Sequence, residues 1–282
     1  MIGVFDSGHG GLTILRALVQ HLPQRSFLYY GDHAHMPYGE RSSAEIVDLT
    51  RGAVEYMFGQ GCKLVVMACN TAAAVALRTL QQDWLAARYP DHRILGVLVP
   101  TVEAVTGVSW LADVVPSAHD KARRTIAIFA TRRTVASRAY VEEIGKRAPE
   151  IDVVQQACPH LVNLIERPAP REELRRVIAG FVAEMMERLD GRRPEAVMLG
   201  CTHYPIVADL FADALPEGWD ILSQPQLVAR SMGDYLGRHP NIDTLDAEPV
   251  LKFLTTGDTA AASSFATTFF GKPAPFAPAT FN

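Results

Sequence analysis

Ile2-Gly3-Val4-Phe5-Asp6-Ser7-Gly8-His9-Gly10-Gly11-Leu12 opens with a short apolar run, breaks at an acid and a hydroxyl, and turns through three glycines into a helical period. The run reads as a strand buried on both faces, as in a parallel sheet. Beyond the turn, Leu12, Leu15, Leu18, Val19 and Leu22 recur on one helical face. The same alternation continues down the chain, with candidate strands at 2–5, 26–30, 64–68, 94–97, 125–129, 152–154, 196–199 and 220–222. Between them, Ser42 and Glu45 have the spacing of a capping box ahead of Ile46, Leu49 and Met57. In 172–189, Leu174, Val177, Ile178, Phe181, Val182, Met185 and Leu189 make a wide apolar stripe that reads as core. The fold class is therefore α/β, a mainly parallel sheet flanked by helices.

At 282 residues the chain exceeds one typical domain, and two modest domains are expected. A net charge of −4 provides no basic field for phosphates, which argues against nucleic acid as a partner. No apolar run is long enough to cross a bilayer, and the first residues read as a strand rather than a signal segment, so the expectation is a cytoplasmic protein with no membrane partner. Cys62, Cys69, Cys158 and Cys201 form no C-x-x-C pair and should be thiols. Cys201-Thr202-His203 is a close Cys/His pair, and its spacing alone does not specify zinc, so no metal is expected.

An approximate internal repeat emerges when strand ends are compared. The first strand runs into Asp6-Ser7-Gly8 and the strand at 125–129 into Ala130-Thr131-Arg132-Arg133-Thr134; the strand at 64–68 ends at Cys69-Asn70-Thr71 and that at 196–199 at Gly200-Cys201-Thr202-His203. Each half thus delivers a small hydroxyl-bearing loop and a cysteine from the carboxyl ends of its strands, where open α/β sheets hold ligands. Two facing halves would make a cleft with a thiol on each wall. Parallel α/β sheets are repetitive in general, and spacing alone leaves that alternative open.

Racemisation of an amino acid removes the proton on Cα from one face and returns one to the other, which suits two acid/base groups on opposite walls. A cysteine, with an ordinary pKa of roughly 8.5, can serve as either. His203 stands two residues beyond Cys201, and Asp6 is placed to orient Cys69. Each residue also has a plainer reading: Cys62 and Cys158 are core packing, composition alone says the same of Cys69 and Cys201, Asp6 caps a helix, and His203 is a satisfied turn histidine. What distinguishes Cys69 and Cys201 is their Asn and Thr neighbours at the end of a buried strand. DSGHGG at 6–11 matches neither G-x-G-x-x-G nor a P-loop, and reads better as a turn whose N–H groups approach a small carboxylate. None of Lys63, Lys121, Lys146, Lys252 and Lys272 lies in a Schiff-base setting, so pyridoxal phosphate is not expected.

Taken together, DSGHGG at 6–11, GD at 31–32, PYG at 37–39, ACNTA at 68–72, the T-x-x-T…S-x-A-Y run at 131–140, ACP at 157–159 with Glu166 downstream, GCTHYP at 200–205 and FLTTGD at 253–258 resemble the glutamate racemases of the aspartate/glutamate racemase superfamily. The resemblance spans nearly the whole chain. It implies two pseudo-symmetric α/β domains with the site in the cleft between them, the first from 1–96 plus 207–282 and the second from 97–206. It further implies a cofactor-independent enzyme that supplies D-glutamate for peptidoglycan, and a homodimer. Cys69 would act on D-glutamate and Cys201 on L-glutamate, assisted by Asp6, Glu166 and His203. Asp6, Ser7, Pro37, Tyr38, Gly39, Asn70, Thr71, Thr131, Thr134, Thr202 and His203 match substrate-holding positions, with the backbone at Tyr38-Gly39 as a grip on the distal carboxylate.

The chain departs from the family's pattern in several places. His9 stands where a small or aliphatic residue is usual, His33 and His35 are unexpected, Ala130 replaces a common glycine, and Ser223-Gln224-Pro225-Gln226 replaces a frequent acidic, glycine-containing turn. The first strand starts the chain, so regulation through an N-terminal extension is not expected. An aspartate or broad-specificity racemase is the sibling alternative, and the histidine after Thr202 argues against the aspartate form. A cysteine-nucleophile hydrolase would leave Cys69 idle, and a non-catalytic amino-acid-binding protein would have no use for both thiols.

Overall fold

The computed structural model describes residues 1–109, 123–167, 169–242 and 245–280, so Lys121 lies outside the described residues. The strands are β1 (Ile2–Asp6), β2 (Phe27–Gly31), β3 (Leu64–Met67), β4 (Arg93–Gly96), β5 (Arg124–Ala130), β6 (Ile151–Ala157), β7 (Ala196–Gly200), β8 (Ile221–Leu222), β9 (Leu251–Thr255) and β10 (Phe276–Pro278). They form two parallel sheets, ordered β10-β9-β2-β1-β3-β4 and β6-β5-β7-β8. β1 lies inside its sheet and is buried along its whole length, as its unbroken apolar run requires.

Register carries the strand-end motifs together. Phe5 pairs with Met67 in β3, so the chain leaves the first sheet with Asp6-Ser7 beside Ala68-Cys69. Ala130 pairs with Gly200 in β7, which sets Thr131 beside Cys201 at the same end of the second sheet. The helix Leu12–His21 buries Leu12, Ile14, Leu15 and Leu18 and packs on the helices Gln224–Arg238 and Thr259–Phe270. The helix Ser43–Gly59 begins with the full capping box: Ser42 accepts from the Glu45 N–H, and Glu45 accepts from the Ser42 N–H at 3.0 Å.

Three features differ from expectation. β8 pairs with β7, so a first domain resuming at residue 207 takes in a strand of the second sheet; the chain re-enters the first sheet only at β9. β10, a three-residue edge strand ending in proline, lies outside every candidate run. The helix Arg171–Leu189 fully buries only Ile178, Val182, Met185 and Leu189, leaving Leu174, Val177 and Phe181 half-buried, because its chief neighbours, β6 and the helix Ala208–Ala214, cover one flank. Among the described residues no helix is long and apolar enough to cross a membrane.

The turn after β1 presses directly on the loop after β7. A Cβ at Gly10 would overlap Thr202 Oγ1 and His203 Nδ1, whereas one at Gly180, inside Arg171–Leu189, meets nothing within 4 Å. Gly10→Ala should therefore lower the unfolding free energy by about 1–3 kcal/mol. Gly180→Ala should raise it by about 0.5–1 kcal/mol. Urea titration of both variants checks the opposite signs.

Candidate active site

Cys69 follows β3 and precedes the helix Asn70–Val75, where its sulfur accepts the Ala72 N–H at 3.5 Å. The Ser7 hydroxyl lies 3.5 Å from the same sulfur. Asp6 is wholly buried; Oδ1 accepts the Gly8 N–H at 2.9 Å and Oδ2 accepts the Thr202 hydroxyl at 3.1 Å. Burial dominates and raises the Asp6 pKa against the pull of His203 and of the hydrogen bonds from Gly8, Thr202 and Gly11. Burial, and then the charge of Asp6, push the Cys69 thiol up to about 12, with the Ser7 and Ala72 hydrogen bonds opposing. Its pKa also responds to charge on Cys201, so the two sulfurs sense each other electrostatically.

On the other wall, Cys201 Sγ lies 3.9 Å from His203 Nδ1, and His203 Nε2 lies 2.6 Å from Glu166 Oε1. Glu166 closes the short helix Leu161–Ile165. Burial opposes the imidazolium, but hydrogen bonds to Cys201 and Glu166 outweigh it and raise the His203 pKa well above the ordinary value. Burial likewise works against the Glu166 carboxylate, and the bonds from His203 and His9 overcome it and hold the acid below the usual carboxylate range. The result is a buried imidazolium–carboxylate pair beside a sulfur.

Three threonines bridge the walls: Thr71 Oγ1 lies 3.0 Å from Thr131 Oγ1 and 3.3 Å from Thr134 Oγ1. Thr131 also caps its own helix through the Thr134 N–H. Cys69 and Cys201 are each only 5% exposed, so both thiols face the interior. A cavity of about 430 Å³ lies instead behind the Cys69 helix, lined in part by Ala73, Leu77, Leu98 and Tyr235, and away from the sulfurs.

Asp6, Ser7, Cys69, Glu166, Cys201, Thr202 and His203 are thus linked by contacts and by adjacency in the chain, and Thr71, Thr131 and Thr134 form a hydrogen-bonded group that starts two residues beyond Cys69. Pro37 and Gly39 are half-buried at the rim of that group, with Gly39 against Thr131. Two expected substrate-holding side chains point elsewhere. The Tyr38 hydroxyl donates to Asp32 Oδ2 at 2.6 Å. The Asn70 amide donates to Gln224 Oε1 at 2.7 Å and accepts from the Tyr140 hydroxyl at 2.6 Å, so its side chain holds the helix rather than facing the cleft.

Residue type and spacing gave no cue to Gln224, Tyr29 or the role of His9. Gln224, in the divergent stretch at 223–226, is buried and also donates to Thr101 and Tyr140. The Tyr29 hydroxyl donates to the Gly8 carbonyl at 2.7 Å and pins the glycine turn. His9 Nδ1 lies 2.9 Å from Glu166 Oε2, on the oxygen that His203 leaves open.

With this geometry in place, comparison with known proteins is specific. Residues 2–227 match the family model described as Asp/Glu/Hydantoin racemase. A glutamate racemase of Phenylobacterium zucineum is 45% identical over 99% of each chain. Among solved structures, glutamate racemase isoform RacE1 of Bacillus anthracis superposes with a TM-score of 0.83 at 28% identity, covering 99% of this chain and 96% of that one. Glutamate racemase of Francisella tularensis, solved in complex with D-glutamate, gives 0.80 at 26% identity, covering 98% and 95%.

Gln224→Leu leaves the Asn70 amide without its acceptor in a buried place and should cost about 1–3 kcal/mol in urea unfolding. A second outcome concerns pH. Burial, followed by the neighbouring His9, lowers the His33 pKa from 6.5 to about 4. Between those values the unfolded chain carries the His33 proton and the folded one does not, so this residue makes stability fall as pH drops through that window. The fall in unfolding midpoint from pH 6.5 to 4 should be shallower in His33→Phe.

Proposed function

The chain belongs to the Asp/Glu/Hydantoin racemase family, and on that footing we propose that it interconverts L- and D-glutamate without a cofactor, using Cys69 and Cys201 as its two proton-transfer groups. The observation that carries the assignment is the pairing of two buried sulfurs from two separate sheets, each with its own acid/base partners. Asp6 and Ser7 attend Cys69; His203, backed by Glu166, attends Cys201.

The arrangement suits a proton relay across one carbon. Cys201 takes the α-proton of L-glutamate, forming an S–H bond as the Cα–H bond breaks. The pair of electrons stays on a planar Cα, and Cys69 gives its proton to the opposite face to yield D-glutamate. A thiol pushed up to about 12 is an apt donor in this state, and the His203 imidazolium stabilises negative charge on Cys201. The reverse reaction exchanges the roles. Asp6, Ser7, Thr71, Thr131, Thr134, Thr202 and His203, with the backbone at Pro37, Tyr38, Gly39 and Asn70, hold the ammonium and carboxylates, the threonines giving up their bonds to one another as substrate enters. The same reading includes a homodimer in the cytoplasm that supplies D-glutamate for peptidoglycan, and it rests there on family likeness.

The test follows the α-proton of each enantiomer by ¹H NMR in D₂O with no added cofactor. Native protein should place deuterium mainly in the product enantiomer, and Cys69→Ser and Cys201→Ser should each lose about 10²-fold or more of the racemisation rate. Exchange of aspartate but not glutamate, or none at all, sinks the glutamate assignment.

A further inference from the structure

We propose that His9 is a positioning residue for the Cys201 half-reaction: it holds the second oxygen of Glu166, and through Glu166 and His203 fixes the imidazole that faces the Cys201 sulfur. The inference rests on the two-thiol reading above. It stands on a continuous line of contacts. His9 Nδ1 meets Glu166 Oε2 at 2.9 Å, Glu166 Oε1 meets His203 Nε2 at 2.6 Å, and His203 Nδ1 meets Cys201 Sγ at 3.9 Å.

A carboxylate held at one oxygen keeps the freedom to swing about its Cγ–Cδ bond, and a buried histidine bound to it swings with it. A donor on the other oxygen removes that freedom. His9 is suited to the part because its own ring is fixed. Its far nitrogen, Nε2, lies 3.1 Å from the Ala262 carbonyl, its ring stacks on Phe269 with centroids 5.8 Å apart, and the edge of His33 closes on it at 4.2 Å. Phe269 touches both histidines of the line, since its ring also meets His203 with centroids 5.4 Å apart.

The line crosses the cleft. His9 comes from the turn after β1, whereas Glu166, His203 and Cys201 all come from the half built on the second sheet. The alignment of His203 on Cys201 therefore depends on the two halves being together, and Cys69, attended by Asp6 and Ser7, has no equivalent dependence on His9. Disturbing His9 should accordingly slow proton transfer at one sulfur and spare the other.

The experiment uses the full-length protein with His9→Leu and His9→Gln, measuring kcat and KM in both directions with protiated and α-deuterated glutamate. His9→Leu should lower kcat/KM by about tenfold. The α-deuterium isotope effect on kcat/KM should rise when L-glutamate is the substrate, because the Cys201 step becomes more limiting. It should fall when D-glutamate is the substrate, because the Cys69 step then approaches equilibrium. His9→Gln, which keeps an N–H donor, should recover activity to within about threefold of native. A His9→Leu protein with kcat/KM within about twofold of native overturns the proposal, as does a loss with both isotope effects unchanged or changed alike. Cys69→Ser and Cys201→Ser measured alongside separate the two ideas: native racemisation by either one overturns the two-thiol reading itself, whatever the His9 variants do.

Discussion

The hydrogen bond from the Thr202 hydroxyl to the Asp6 carboxylate ties the two halves of the molecule at the place where chemistry is proposed. Asp6 has no access to water, and a buried carboxylate is tolerable only with donors around it. The Gly8 and Gly11 N–H groups are local donors, and the Thr202 hydroxyl comes from the opposite sheet. Satisfying Asp6 therefore brings the loop after β7 against the turn after β1, so closely that Gly10 has no room for a side chain. The same contact sets Cys201 and His203, on either side of Thr202, against the turn whose Asp6 and Ser7 stand beside Cys69.

The two halves are alike in topology and unlike in electrostatics. Cys69 stands near an acid whose charge disfavours a second negative charge, and Cys201 stands near an imidazole that welcomes one. Here the difference comes from Asp6, at the end of the neighbouring strand β1, on one side and from His203, two residues beyond its sulfur, on the other, in sheets whose strands β2-β1-β3-β4 and β6-β5-β7-β8 run in corresponding order.

Much of this was legible beforehand. β1, β3 and β7 announced themselves because a strand buried on both faces must be apolar throughout, and the Cys69 and Cys201 loops stood out because polar residues interrupt those runs. Ser42 and Glu45 form the capping box their spacing implies. β10 was not legible, being three residues at a sheet edge with a proline, where pairing comes from position rather than pattern. The side-chain directions of Asn70 and Tyr38 were equally hidden, since they depend on Gln224 and Asp32, partners distant or unremarkable in the chain. His9 could be noticed as a departure, but its partner Glu166 lies across the cleft, and no local period connects them.

The order of the first sheet carries a consequence for the protein's synthesis. β2 pairs with β1 on one side, and its other neighbour, β9, is contributed by Leu251–Thr255, after the entire second sheet has been made. During translation the outer edge of β2, Phe27-Leu28-Tyr29-Tyr30-Gly31, is an aromatic, uncharged strand with unpaired backbone groups, the kind of template on which nascent chains adhere to one another. β9, made long after β2, thus acts as the cover that retires this edge. Until it docks, the outer edge of β2 is open to pairing with any other strand.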